Sequence, residues 1–315
     1  TGTQIQGLNA SNVPNAFDST DVSKISTSAI TSLSSAAIGA LTATVAGGLT
    51  TTQVSLLSST QVAGFTETNI SGLNSSQIGQ LTTDDVAALT TAEIAAISTS
   101  AIVGIETSEI AVFSTAQIAA FTTSQAAQLT SSQVTAFTVD NIKGLESTDL
   151  QNLTTTAIKG LESADLQVIS AAQLAGLTTT QIPVLGSDQI KGLTSSNYTA
   201  LDSADIAAIS TSAIAGLQTS IVTLLSSAQV TGFNSSQIAK FDSSQIGAFS
   251  VTGVKGLASD EIAQITTSAI AGLESADINV LDSSQLSGLT TSQIELLTGT
   301  QILGLNASNV PNAFD

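Results

Sequence analysis

The sequence predicts an all-α solenoid of very short helices, one for each eight-residue repeat (octad). Leu, Ile or Phe recurs at every eighth residue from Phe17 to Leu305. Ser or Thr usually follows, with Gln, Asp or Glu three residues later, as in LTTSQIEL at 289–296. An octad is too small to fold alone, so a chain of octads buries its apolar side chains between neighbouring repeats.

Each part of the octad favours a short helix. Thr290 and Gln293 have the spacing of a capping box, in which each side chain bonds the backbone amide of the other. Leu289 and Ile294 then hold the two positions of a hydrophobic staple. Gly or Ala at the eighth position ends a helix or permits close packing. We therefore predict about one and a half helical turns and a tight turn per octad.

Two other folds compete with this prediction. One continuous α-helix is excluded, because eight residues are not a whole number of helical turns and the apolar pair would rotate by about 80° per octad. A β-solenoid remains the alternative, since Thr, Ile and Val favour strands. In that fold the repeated capping box would have no structural role.

Longer periods predict how octads are arranged. The pairs Lys143-Gly144, Lys159-Gly160, Lys191-Gly192 and Lys255-Gly256 are separated by multiples of sixteen residues. Alternate octads therefore have different surroundings, which predicts about two octads per superhelical turn. A shift of fourteen octads also aligns 137–185 with 249–297, including LESAD at 161–165 and 273–277.

The two ends of the chain carry the same sequence. Residues 1–18 and 298–315 differ only at Gln6 and Leu303. We interpret them as one seam of a 297-residue super-repeat, and we expect one continuous solenoid domain over 1–315. The chain begins at Thr1 without Met, so we expect a segment or a processed product.

Composition excludes several classes of function. The chain has no Cys, His, Met or Trp and a net charge of -18, which argues against catalysis, zinc and nucleic-acid binding. No apolar stretch approaches the roughly 20 residues that span a bilayer. Asp84-Asp85 and Asp260-Glu261 are weak calcium candidates that helix starts explain better. We predict no catalytic, cofactor-binding or metal-binding residues, no cofactor and no enzymatic activity.

The LTT-x-QI-x-x-L repeat resembles octapeptide tracts of very large bacterial surface proteins described as adhesin-like, over essentially all 315 residues. The resemblance implies an extracellular or cell-surface fibre, sheath, stalk or surface-layer element, and it assigns no binding residue. We expect the chain to associate with itself, end to end or side by side. The alternatives are an adhesin shaft for cell-surface or glycan partners and a Ser/Thr-rich face that binds a ligand or ice.

Overall fold

A computed structural model describes residues 17–310, which are helical or turn throughout, without strands. The contacts divide the chain into two compact units, Thr1–Gly160 and Leu161–Asp315. The predicted all-α solenoid of short helices is therefore confirmed over these residues, and the β-solenoid is wrong. The single domain and the super-repeat remain predictions, because parts of both seam copies, 1–16 and 311–315, lie outside the described residues.

The helices follow the octads one by one. In the first unit the α-helices are Ser19–Ser23, Thr27–Ile30, Ser35–Gly39, Ala43–Ala46, Thr51–Val54, Ser59–Val62, Glu67–Ile70, Ser75–Ile78, Thr83–Ala88, Thr91–Ala96, Thr107–Val112, Thr115–Ile118, Thr123–Ala126, Ser131–Thr135, Ser147–Asn152 and Thr155–Ile158, and the 3-10 helices are Ile102–Gly104 and Asn141–Gly144. In the second unit the α-helices are Ser163–Val168, Ala171–Leu174, Ser187–Gly192, Ser195–Tyr198, Ser203–Ala208, Thr219–Val222, Ser227–Val230, Ser235–Ile238, Ser243–Ile246, Ser259–Gln264, Ser275–Val280, Ser283–Leu286, Thr291–Ile294 and Gly299–Ile302, and the 3-10 helices are Ile182–Val184, Ile214–Gly216, Val254–Gly256 and Ile270–Gly272.

The predicted capping boxes start most of these helices. At Thr123–Ala126 the Thr122 hydroxyl accepts from the Gln125 N–H at 3.3 Å, and Gln125 Oε1 accepts from the Thr122 N–H at 2.8 Å. The residue before the cap and the residue after the box are both buried, as in Phe121 and Ala126. Local hydrogen bonding therefore determines where each helix begins.

The core consists of the first and sixth residues of the octads. Ile238 and Ile246 are fully buried, and the rings of Phe233 and Phe241 meet edge to face with centroids 5.1 Å apart. The spacing of five residues within an octad places both side chains on the inner side of the short helix. Each octad therefore contributes one pair of large apolar side chains to its unit.

Glycine at the eighth position serves close packing. No described glycine has a positive φ, so none ends its helix in the left-handed conformation. A Cβ at Gly104 would instead overlap the carbonyl oxygen of Ser75. Of the two roles predicted for this position, close approach between turns is the one that the structure shows.

The prediction of two octads per superhelical turn is wrong. Thr83–Ala88 packs against Thr107–Val112, which begins three octads later, and Gln133 bonds to carbonyls 31 and 28 residues earlier. These offsets correspond to between three and four octads per turn. The sixteen-residue spacing of the Lys-Gly pairs reflects a pattern along the chain and gives no measure of the turn.

Candidate functional site: contacts between successive turns

The side chain at the fifth position of the octad joins neighbouring turns. Gln125 is buried, and while its Oε1 completes the capping box, its Nε2 donates to the carbonyl oxygens of Ile94 at 2.8 Å and Ile97 at 2.7 Å. Those carbonyls belong to the end of a helix one turn earlier. One amide thus satisfies backbone groups at the start of its own helix and at the end of another.

The same bond recurs in both units at the same sequence offset. Asn has a shorter side chain and makes it as well, as at Asn69, whose Nδ2 donates to the Ile38 carbonyl at 2.8 Å. The ladder of amides bonded to the preceding turn includes Gln53, Gln61, Asn69, Gln77, Gln117, Gln125, Gln133, Asn141, Gln189, Asn197, Gln229, Gln237, Gln245, Gln285, Gln293, Gln301 and Asn309.

Residue type at the fifth position follows a period of seven octads. One turn contains about three and a half octads, so octads return to register only after two turns. We call three successive amide octads an amide turn and the three octads with acids or small residues between them an acid turn. The amide turns are 61-69-77, 117-125-133, 173-181-189, 229-237-245 and 285-293-301, and the acid turns are 93-101-109, 149-157-165, 205-213-221 and 261-269-277.

The acid turns lack the ladder. Each has Ala at its central fifth position, as at Ala101, with Glu or Asp on either side except at Ile221. The Glu109 carboxylate accepts from the Glu106 N–H at 2.7 Å, and Asp277 accepts from the Glu274 N–H at 2.9 Å. An ionised carboxylate has no proton to donate, and within the described residues no fifth-position side chain of an acid turn donates to the preceding turn.

Burial raises the pKa of several of these carboxyl groups. Burial raises the pKa of Glu109 to about 7, partly offset by its backbone bond, and the nearby charges of Glu106 and Asp85 raise it further. The pKa of Asp165 is raised to about 6, mainly by burial, and the pKa values of Asp149 and Asp277 are raised for the same reason. The acid turns therefore hold ionisable groups where the amide turns hold neutral donors.

Asp85 is a carboxylate at a position where later parts of the sequence have an amide donor. The octad of Asp85 lies between an amide turn and an acid turn. At the same place in the next two seven-octad periods, the fifth-position residues are Asn141 and Asn197. The Asp85 Oδ2 accepts from the Thr82 N–H at 2.9 Å, whereas its Oδ1 is buried without a hydrogen-bond partner. In Asn141 the corresponding atom is an amide nitrogen that donates to the preceding turn.

Over the described residues, the two acidic pairs considered as calcium candidates form no metal site. Asp84-Asp85 and Asp260-Glu261 lie in first helical turns, and no group of three His, Cys, Asp or Glu residues over 17–310 could hold a metal ion. A surface groove of about 530 Å³ lies where the octad pattern breaks at Ile221, lined by residues that include Gln167 and Lys191. Across the part of the chain that the structure describes, no helix has the length and hydropathy to cross a bilayer.

Comparisons with known proteins match parts of the repeat tract. Three segments match the ALTTAQ repeat, at residues 102–139, 158–195 and 270–307. Their starts are separated by seven and fourteen octads, one and two of the periods described above. The chain is therefore a tandem-repeat protein, and its repeat has the two-turn period seen in the structure.

No curated protein matches the sequence. Among solved structures, the chain is similar to the leucine-rich repeat-containing protein LegL7 from Legionella pneumophila, at 11% identity over 76% of this chain and 78% of that chain, with a TM-score of 0.17.

Proposed function

We propose that this protein is a structural element: a solenoid segment of an extracellular fibre, sheath, stalk or surface layer that associates end to end with further copies of its repeat. The ladder of buried amides supports this proposal. It satisfies backbone groups between turns and binds one turn to the next, which is what a load-transmitting scaffold requires.

The last described turn exposes apolar side chains that a further turn, in the same chain or in another copy, would cover. Ile294 and Ile302 hold the sixth position of their octads and are 38% and 49% exposed, whereas Ile238 and Ile246 at the same position are 0% exposed. Leu303 is 79% exposed beside them. Exposed apolar side chains at positions that are core elsewhere favour contact with a further turn.

The partner that fits this surface is the turn that begins at residue 19 of another copy. Residues 298–315 repeat 1–18, so residue 19 onward continues the octads after residue 315. The first fifth-position residues of that continuation are Asp21, Ala29 and Ala37, an acid and two small residues, which are the residue types found in the acid turns. Inside each unit an acid turn follows an amide turn, and here the amide turn is 285-293-301.

Sedimentation velocity over a range of concentrations tests this association. We expect reversible oligomers, and we expect Ile302→Glu to weaken them while leaving the helix content unchanged, because the side chain is half exposed. Leu56→Glu is the matched control, because Leu56 is similarly exposed at 43% but lies in the first unit. A monomer at every concentration, or equal effects of both substitutions, would refute the proposed interface.

One observation favours the second candidate, a binding face. Hydroxyl groups at the second position are used in caps, whereas side chains at the third and fourth positions, such as Thr123 and Ser124, are exposed. Rows of such hydroxyls could bind a glycan or ice. A glycan-array and thermal-hysteresis assay would support this function by a positive signal that Thr123→Val with Ser124→Ala reduces.

A further inference from the structure

The acid turns place carboxyl groups where the amide turns make their bonds to the preceding turn. Gln133 bonds to the carbonyls of Ile102 and Ile105, 31 and 28 residues earlier. At the same offsets Glu109 corresponds to the carbonyls of Ile78 and Leu81. A carboxylate cannot donate a hydrogen bond to a carbonyl oxygen, whereas a protonated carboxyl group has an O–H that can donate, as the amide does.

We propose that the acid turns are proton-dependent contacts: when the buried carboxylates of Glu109, Asp149 and Asp277 take up a proton from solvent, the resulting O–H groups donate to carbonyl oxygens of the preceding turn. Each site gains one hydrogen bond and loses one buried charge. The amide turns hold their bonds at any pH, so the acid turns alone respond. This goes beyond a static scaffold and does not depend on association between copies.

The surroundings of these groups favour the neutral form. Glu109 faces Glu106 at its own helix start and Asp85 on the packed helix Thr83–Ala88, which also carries the exposed Asp84. The other helix packed on it, Ser131–Thr135, has no titratable residue. The charges that act on Glu109 are those of Glu106 and Asp85, both negative, and no cation is among them.

At the other two sites the neighbouring carboxylate lies at the start of the same helix, and the packed helix adds none. Asp149 faces Glu146, and Asp277 faces Glu274. The helices packed on them, Thr123–Ala126 and Gly299–Ile302, carry no titratable residues. At both of these sites a buried carboxyl group lies beside a single exposed one.

The direction of the effect follows from linkage. The pKa of Glu109 is raised in the folded state to about 7 from an ordinary value of 4.5, so folding favours the protonated form. The resulting stabilisation is complete below the ordinary pKa and is lost as pH rises through about 7. The acid turns should therefore be most stable at mildly acidic pH and loosen toward alkaline pH, opposite to the behaviour of a salt-bridged carboxylate.

Native-state hydrogen exchange between about pH 5 and about pH 8, corrected for intrinsic exchange rates, measures this locally. We expect protection of the amides in Thr107–Val112 to fall on the order of 100-fold as pH rises, and protection in Thr123–Ala126 to change much less. Glu109→Gln supplies a permanent donor, so it should remove most of the fall. Glu67→Gln, which removes an exposed carboxylate, is the control for net charge and should preserve it.

A second variant makes the opposite change, from an amide to a carboxyl group, and does not depend on how Glu109→Gln folds. Gln125→Glu places a carboxyl group in an amide turn, and it should give Thr123–Ala126 the pH dependence of an acid turn. The proposal is wrong if wild type and Glu109→Gln lose protection equally. It is also wrong if the loss is spread evenly over amide and acid turns, which would indicate general charge repulsion. Both measurements use dilute protein, so failure of self-association does not affect them.

Discussion

Two neighbouring turns of the first unit use the same octad in different ways. In the amide turn at 117-125-133, each Gln donates to carbonyls of the preceding turn at 2.7 to 3.3 Å. In the acid turn at 93-101-109, the fifth-position side chains make no such bond, and contact there depends on apolar packing and close backbone approach at Gly104. A single repeat sequence thus builds interfaces with and without side-chain hydrogen bonds by changing one residue.

The helices of the two kinds of turn also differ. Octads with Glu or Asp at the fifth position of the acid turns form six-residue helices, such as Thr91–Ala96 and Thr107–Val112. The Ala octad between them forms the 3-10 helix Ile102–Gly104, and two of the three amide-turn helices, Thr115–Ile118 and Thr123–Ala126, have four residues. In these two turns the change of fifth-position residue is therefore accompanied by a change of helix length.

Removal of a ladder amide should have the largest effect. Gln125→Ala deletes four hydrogen bonds and leaves the Ile94, Ala95 and Ile97 carbonyls without that partner, so we expect a loss of about 2–4 kcal/mol. Gln128→Ala, at an exposed position of the same octad, should change stability by less than about 0.5 kcal/mol. Urea unfolding of both variants measures the difference, and similar losses would contradict the role of the ladder.

Close packing should dominate the contact made by the acid turn. Gly104→Ala forces a methyl group against the Ser75 backbone, and we expect a loss of about 1–3 kcal/mol in urea unfolding. Gly299 is the matched site because nothing lies within 4 Å of an added Cβ there. Gly299→Ala should be neutral or stabilising by about 0.5–1 kcal/mol, since Ala favours helix more than Gly does. Tolerance of Ala at Gly104 would argue that this interface is loose.

Conversion of a carboxylate into an amide should strengthen the contact between turns. Asp85→Asn replaces the unpartnered buried Oδ1 with a donor, and we expect a gain of about 1–2 kcal/mol at neutral pH. Asp84→Asn changes the same charge at an exposed neighbouring position and should have little effect. Equal gains, measured by thermal unfolding, would show that charge reduction alone is responsible.

Replacement of a helix-capping residue should have the smallest effect on stability, and this effect should differ between the two kinds of turn. Thr122 caps its helix with its hydroxyl, and Thr122→Ala should cost about 1 kcal/mol. The Glu146 side chain makes no cap bond, so Glu146→Ala should be near neutral, with a small gain from removing the charge beside Asp149. Thermal unfolding and helix content by circular dichroism check both, and a larger loss at Glu146 would contradict the assignment.

Helix positions could be predicted from sequence because caps are local. Thr290 and Gln293 are three residues apart, and their mutual bonds need nothing beyond the octad itself. The second role of Gln293 was not predicted, because a capping box accepts Gln, Glu or Asp equally well. The available signal was the run of three amides that recurs every seven octads.

The sequence by itself determined the all-α class, the start of each helix and the pairs of core side chains, because these depend on groups within one octad of one another. Only the tertiary structure decided the length of the turn and the hydrogen bonding of each interface between turns. Those depend on which carbonyl an amide such as Gln125 reaches 28 to 31 residues earlier, a distance that the octad period does not encode.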